Sequence, residues 1–142
     1  MKLALIQTKQ NALYNFIDQN RRWSADEAGI HQSQMLEQNY KMIGDAIEHG
    51  AEMVVTSEAI NFAGLPEQFD GNYAEFIRSG QDNICRQLAN AAKRGVCWII
   101  AGMYRSDAYG LMRNSACVWN SSGKLEGIYD KVHLAGSENT TL

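Results

Sequence analysis

Three short apolar runs frame this chain: LALIQ at residues 3–7, MVV within EMVVTSE at 52–58, and VCWIIAGMY at 96–104. Each has the length of a strand and is bounded by polar or glycine-containing sequence. Between them lie stretches of helical period. From Ser33 onward, Leu36, Tyr40, Ile43 and Ile47 share one helical face, and Gly50 is a natural stop. Further on, Ser79 and Asp82 have N-cap box spacing. Ile84, Leu88 and Ala91 then form an inner face, and Lys93 and Arg94 sit before Gly95, where the helix dipole favours cations. Strand–helix–strand–helix–strand is the pattern of a parallel sheet. Two more strand-like runs, RNSACVWN and LEGIYDKVHL, flank the turn SSGK and read as a β-hairpin. The expected fold class is α/β, a mixed sheet with flanking helices, parallel first and antiparallel at its end. VCWIIAGMY is apolar throughout, so its strand is expected to be buried on both faces.

The 142 residues fit one domain with an adequate core. A formal net charge of −3 gives no basic footprint for nucleic acid or an anionic membrane. No apolar run is long enough to cross a bilayer, and the N-terminus reads as a first strand rather than a leader. Cys85, Cys97 and Cys117 are odd in number and lie in apolar settings, as reduced thiols of a cytoplasmic protein would. Histidines 31, 49 and 133 lack ligand spacing, and no phosphate-binding glycine loop is present, so neither a metal nor a cofactor is expected. The polar stretch at 8–34 reads as an irregular excursion with a helical turn at most; connections of that length are more often functional or partner-bound than idle.

Two residues stand out chemically. Glu58 follows the polar end of its strand, where α/β sheets collect their chemistry. Flanked by Ala59, Ile60 and Phe62, it is expected to be partly desolvated, as a general base requires; otherwise it is a solvated loop acid. Lys131 alternates with Tyr129 and His133, so the three share a face if the strand continues. Turned inward, Lys131 needs a carboxylate, and Glu58 is the candidate; turned outward, it is a snorkelling edge lysine. His133 reads as a structural histidine. Glu138 is either a surface acid or a second carboxylate of the same cleft.

Taken together, these stretches resemble the N-terminal half of the carbon–nitrogen hydrolase (nitrilase) superfamily. The resemblance is carried by LALIQ, NYKMIGDAIEHGAEMVVTSEAINF, AKRGVCWIIAGMY and RNSACVWNSSGKLEGIYDKVHLAGSE, in the family's order and over nearly the whole chain. It implies that residues 1–142 are the N-terminal part of a single α-β-β-α sandwich with a Glu–Lys–Cys triad. The family's glutamate falls on Glu58, its lysine on Lys131, and a frequent second glutamate on Glu138. The reaction implied is attack on an amide, carbamoyl or nitrile carbon, a thioester, and its hydrolysis. In two respects the sequence departs from the family. Ser57 stands where a proline usually precedes the glutamate, and the nucleophilic cysteine belongs to an elbow beyond Leu142. The expectation is therefore half a site, inactive in isolation and completed by a second half of the same fold or by homo-oligomerisation. A fragment, a shortened paralogue and a partner-completed chain all fit that expectation. The alternative is a non-catalytic remnant acting as a dimerising or regulatory module.

Overall fold

The computed structural model describes residues 1–9, 13, 18 and 20–134. Its main sheet has five strands in the order β1 (Leu3–Leu5), β3 (Met53–Val55), β5 (Trp98–Ser106), β6 (Met112–Trp119) and β7 (Leu125–Asp130). β1, β3 and β5 run parallel; β6 and β7 pair antiparallel, as the hairpin reading required. A minor parallel pair joins β2 (Trp23–Ser24) to β4 (Phe69–Asp70).

Two long helices connect the parallel strands. α1 spans Ala25–Glu48 and begins well before Ser33. The reason lies in SADE: the Ser24 side chain accepts from the Glu27 N–H, and the Glu27 carboxylate accepts from the Ser24 N–H, a reciprocal capping box. The last ten residues of the supposed excursion, 25–34, are thus helix. α2 spans Tyr73–Gly95, and its cap is Asn72, whose side chain accepts from the Glu75 N–H. Ser79 is inside the helix, its hydroxyl donating to the Phe76 carbonyl at 2.7 Å, so the Ser79 start is corrected by two turns.

Both helices pack on the same face of the sheet. Ile43, Ile84, Leu88 and Ala92 meet Val54, Ile99, Ala101, Met103, Cys117 and Trp119, all buried. The alternate residues of those strands point the other way, to a face that no helix covers among the described residues. There Leu5 is 74% and Trp98 39% exposed. β5 is therefore buried on one face, not two. Its continuous apolar run holds a helix-facing row and an open row of similar hydrophobicity. A second cluster, including Trp23, Ala59, Phe62, Phe69, Tyr73, Ile77 and Tyr104, fills the end of the domain where the parallel strands finish. It lies beneath the loop that carries Glu58. No described helix is long and apolar enough to cross a membrane.

Candidate active site

Glu58 leaves the C-terminal end of β3 in a loop laid flat against β5. Gly102 allows that approach: a Cβ there would come within 2.8 Å of both the Glu58 Cα and the Ser57 carbonyl oxygen. Three contacts fasten the loop. The Gly102 N–H donates to Thr56 Oγ1 at 3.2 Å, and the Ile60 N–H donates to the Gly102 carbonyl at 2.9 Å. Asn61, fully buried, then treats Tyr104 as a strand neighbour would. Its amide donates to the Tyr104 carbonyl and accepts from the Tyr104 N–H, both at 2.8 Å. Ala59, immediately after Glu58, has φ 52°, a left-handed conformation unusual for a residue with a Cβ. Such local strain persists only where the surroundings over-determine the backbone, as they do here.

Lys131 arrives from the opposite edge. β7 ends at Asp130, but one further ladder bond, from the Lys131 N–H to the Asn114 carbonyl at 2.8 Å, holds the next residue. The Lys131 ammonium then reaches Glu58 Oε1 at 2.8 Å. The Asn114 side-chain amide donates to the same oxygen at 2.6 Å. Glu58, Lys131 and Asn114 sit in a cleft of about 310 Å³ on the open face, with Val55, Ile100, Ala116 and Tyr129 around them. The carboxylate and ammonium, 73 residues apart in sequence, do meet.

Three expectations are corrected. Glu58 is not desolvated: its side chain is 61% exposed, because Ala59, Ile60 and Phe62 turn into the core while the carboxylate opens onto the uncovered face. His133 does not share a strand face with Lys131; the strand has already ended, and His133 is exposed in a bend. Cys97 immediately precedes β5 rather than lying within it. Glu138 lies outside the described residues. Among those described, no group of three or more His, Cys, Asp or Glu side chains could hold a metal ion. Asn114 was visible only as part of an N-S-A run. Nothing local to Asn61 announces a partner 43 residues away.

An exposed lysine–glutamate pair adds only about 0–1 kcal/mol to stability, so its interest is geometric. It sets a carboxylate beside an ammonium group at one point. The cysteines are placed elsewhere. None of the three lines this cleft. Burial raises the thiol pKa of Cys85 and Cys97, and pushes that of Cys117 up to about 11. Neutral buried thiols are poor nucleophiles. At pH 7, iodoacetamide is expected to modify Cys97 and Cys117 only after unfolding, and Cys85 more slowly than a free thiol. Peptide mass mapping of native and urea-unfolded samples checks this. A native cysteine alkylated faster than free thiol would contradict the placement.

With this geometry in hand, comparison with known proteins is decisive for kinship. The sequence pattern of the carbon-nitrogen hydrolase family matches residues 2–141. The chain belongs to that family. No curated protein matches it. Among solved structures, an amidase from Nesterenkonia sp. is 19% identical with a TM-score of 0.68, covering 99% of this chain and 46% of its own. The NitFhit protein of C. elegans is 20% identical with a TM-score of 0.67, covering 94% of this chain and 28% of its own. A carbon-nitrogen hydrolase from Helicobacter pylori G27 is 20% identical with a TM-score of 0.61, covering 73% and 36% respectively. At such identity the likeness shows the fold: the mixed sheet and its helices are the nitrilase arrangement. This family member spans less than half the length of those three neighbours.

Proposed function

We propose that this chain supplies the glutamate–lysine half of a hydrolase site for non-peptide carbon–nitrogen bonds in an amide, carbamoyl compound or nitrile. The observation that carries the reading is the 2.8 Å approach of Lys131 Nζ to Glu58 Oε1, at the strand end of a carbon–nitrogen hydrolase fold. Glu58 takes the proton of an incoming thiol as the thiolate attacks the substrate carbon. Lys131 holds the charge that develops on the substrate oxygen or nitrogen, a task suited to a fixed cation. From an amide or carbamoyl compound, Glu58 returns the thiol's proton to the leaving nitrogen, and loss of ammonia or amine leaves a thioester; from a nitrile, addition gives a thioimidate, to which a water adds before ammonia leaves. Glu58, again a carboxylate, then deprotonates the water that hydrolyses the thioester. Glu138 is assigned as a second carboxylate of the site. In this reading the thiol is none of Cys85, Cys97 and Cys117, which do not line the cleft. Support for a cysteine partner comes from an amidase neighbour of Nesterenkonia sp. AN1, one structure of which is described with acrylamide added at the active site cysteine.

The exposed apolar row of the sheet favours a companion. Its occupant in this reading is a second, cysteine-bearing half of the same fold, which would also dry the cleft around Glu58; a second copy of this chain is the competing occupant. The site is assigned to a cytoplasmic protein.

Ammonia release from a panel of amides, carbamoyl compounds and nitriles tests the reading. In the native assembly containing this chain, Glu58→Gln and Lys131→Met are each expected to lower turnover about a thousandfold. The 142-residue chain alone is expected to release none. Undiminished turnover in either variant overturns the roles. Turnover by the isolated chain that survives Cys→Ala at positions 85, 97 and 117 overturns the reading that a cysteine-bearing second half supplies the thiol.

A further inference from the structure

On the helix-facing side of the sheet, behind the cleft, three strands are tied by a polar chain that the site does not use. Arg105 of β5 donates from Nε to Ser115 Oγ of β6 at 2.9 Å, and from Nη2 to Asp130 Oδ1 of β7 at 2.7 Å. The Ser115 hydroxyl donates to the same Asp130 oxygen at 2.6 Å. Ser115 is 3% exposed and the Arg105 side chain 13%. Arg113, paired opposite Arg105 in the ladder, is engaged by Asp107 at 3.0 Å, which leaves Asp130 to Arg105. Burial pushes the Asp130 carboxyl up, but the Ser115 and Arg105 bonds outweigh it and hold the group below the usual carboxylate range.

Asp130 is the last residue of β7, and Lys131 is the next. Successive residues of a strand project to opposite faces, so fixing Asp130 behind the sheet directs Lys131 to its front. β7 needs such a device. Five of its six residues pair with β6, the only strand beside it among the described residues, and the register already shifts once, between Val118 and Trp119. A slip of one residue would carry Lys131 to the wrong face.

We propose that Arg105, Ser115 and Asp130 are positioning residues, a latch behind the sheet that sets the end of β7 so that Lys131 meets Glu58 in front. Its catalytic meaning rests on the function proposed above; its geometry does not. The pair of N–H donors in one planar fork is also why arginine is required. Lysine at 105 keeps the charge but cannot bond Ser115 and Asp130 together in the same plane.

Zero-length carbodiimide coupling reads the contact directly, joining Glu58 to Lys131 in an isopeptide that peptide mass spectrometry quantifies. Lys41 and Asp45, 2.7 Å apart on α1, supply an internal standard far from the latch. In Asp130→Asn and in Arg105→Lys, the Glu58–Lys131 product is expected to fall roughly tenfold, with Lys41–Asp45 coupling unchanged. Asp130→Glu, which keeps the carboxylate, is expected to restore most of it. Should Asp130→Asn fail to fold, the internal standard reveals it and Arg105→Lys decides. Wild-type yield of the product in a folded Arg105→Lys or Asp130→Asn chain overturns the latch. Absence of the product in the unmodified chain overturns the site geometry itself, a different failure.

Discussion

Gly102→Ala is expected to destabilise the chain by about 3 kcal/mol, the upper end of what one added methyl does in a packed setting. Most overpacked methyls are relieved by rotating a neighbouring side chain. Here the obstructing atoms are the Glu58 Cα and the Ser57 carbonyl oxygen, each 2.8 Å from the new Cβ, with the Ala59 nitrogen at 3.2 Å. All are backbone, and the loop to which they belong is fastened on both sides, by the bond between Thr56 and Gly102 and by that between Asn61 and Tyr104. The loop must lift, and Glu58 with it. Urea unfolding should show a lowered midpoint with an unchanged slope, and the carbodiimide product between Glu58 and Lys131 should fall in the native sample. Gly127→Ala is the matched control. It adds the same methyl to β7 with nothing within 4 Å, and should stay within about 0.5 kcal/mol of the parent. Equal midpoints for the two variants would refute the close-approach argument.

β5 is the scaffold behind both chemical groups. Gly102 accommodates the Glu58 loop, the Tyr104 backbone accepts Asn61, and Arg105 reaches through Ser115 to the strand end that presents Lys131. Three residues within four positions of one strand thus set the relative position of two groups brought from opposite sides of the sheet. An acid and a cation held by separate loops would drift independently. Held by one strand, they share a frame, and placement to within a fraction of an ångström is what such chemistry demands.

Much of this was legible in the sequence because its signals are local. Apolar runs and glycine stops gave the succession of strands and helices and the class of sheet, and position along the strands, with the family resemblance, singled out Glu58 and Lys131. The errors have physical causes too. Ser79 and Asp82 have the spacing of a cap, but Asn72 caps first, and a serine inside a helix bonds back to its own turn. SADE was a true capping box hidden in a polar stretch. The VCWIIAGMY run hides its two-sidedness, because both rows are apolar while only one is covered by helices. Asn114 and Asp130 were unreadable as parts of a site. Their partners are 56 and 25 residues distant, and only the pairing register brings them together.

Asn61→Ala should be the most damaging single truncation in the Glu58 loop, at about 4 kcal/mol, because it strips partners from two buried backbone groups at once. The side chain is wholly enclosed, and its amide closes a two-bond ring with the N–H and carbonyl of Tyr104. Removing it leaves both groups facing apolar neighbours, with a void where the amide was, and unpaired buried polar groups each cost about 1–3 kcal/mol. Asn61→Asp separates this from simple loss of volume. It preserves size and the acceptor for the Tyr104 N–H, yet sets a carboxylate against the Tyr104 carbonyl, so its destabilisation should approach that of alanine at neutral pH. It should shrink as pH falls toward 4, since a protonated carboxyl regains a donor for that carbonyl. The Glu58–Lys131 coupling product should follow the same order, lowest in alanine, partly recovered in aspartate under acid. Unfolding midpoints for both variants that match the parent would mean the ring does not hold the loop, and Glu58 would then owe its position to Gly102 alone.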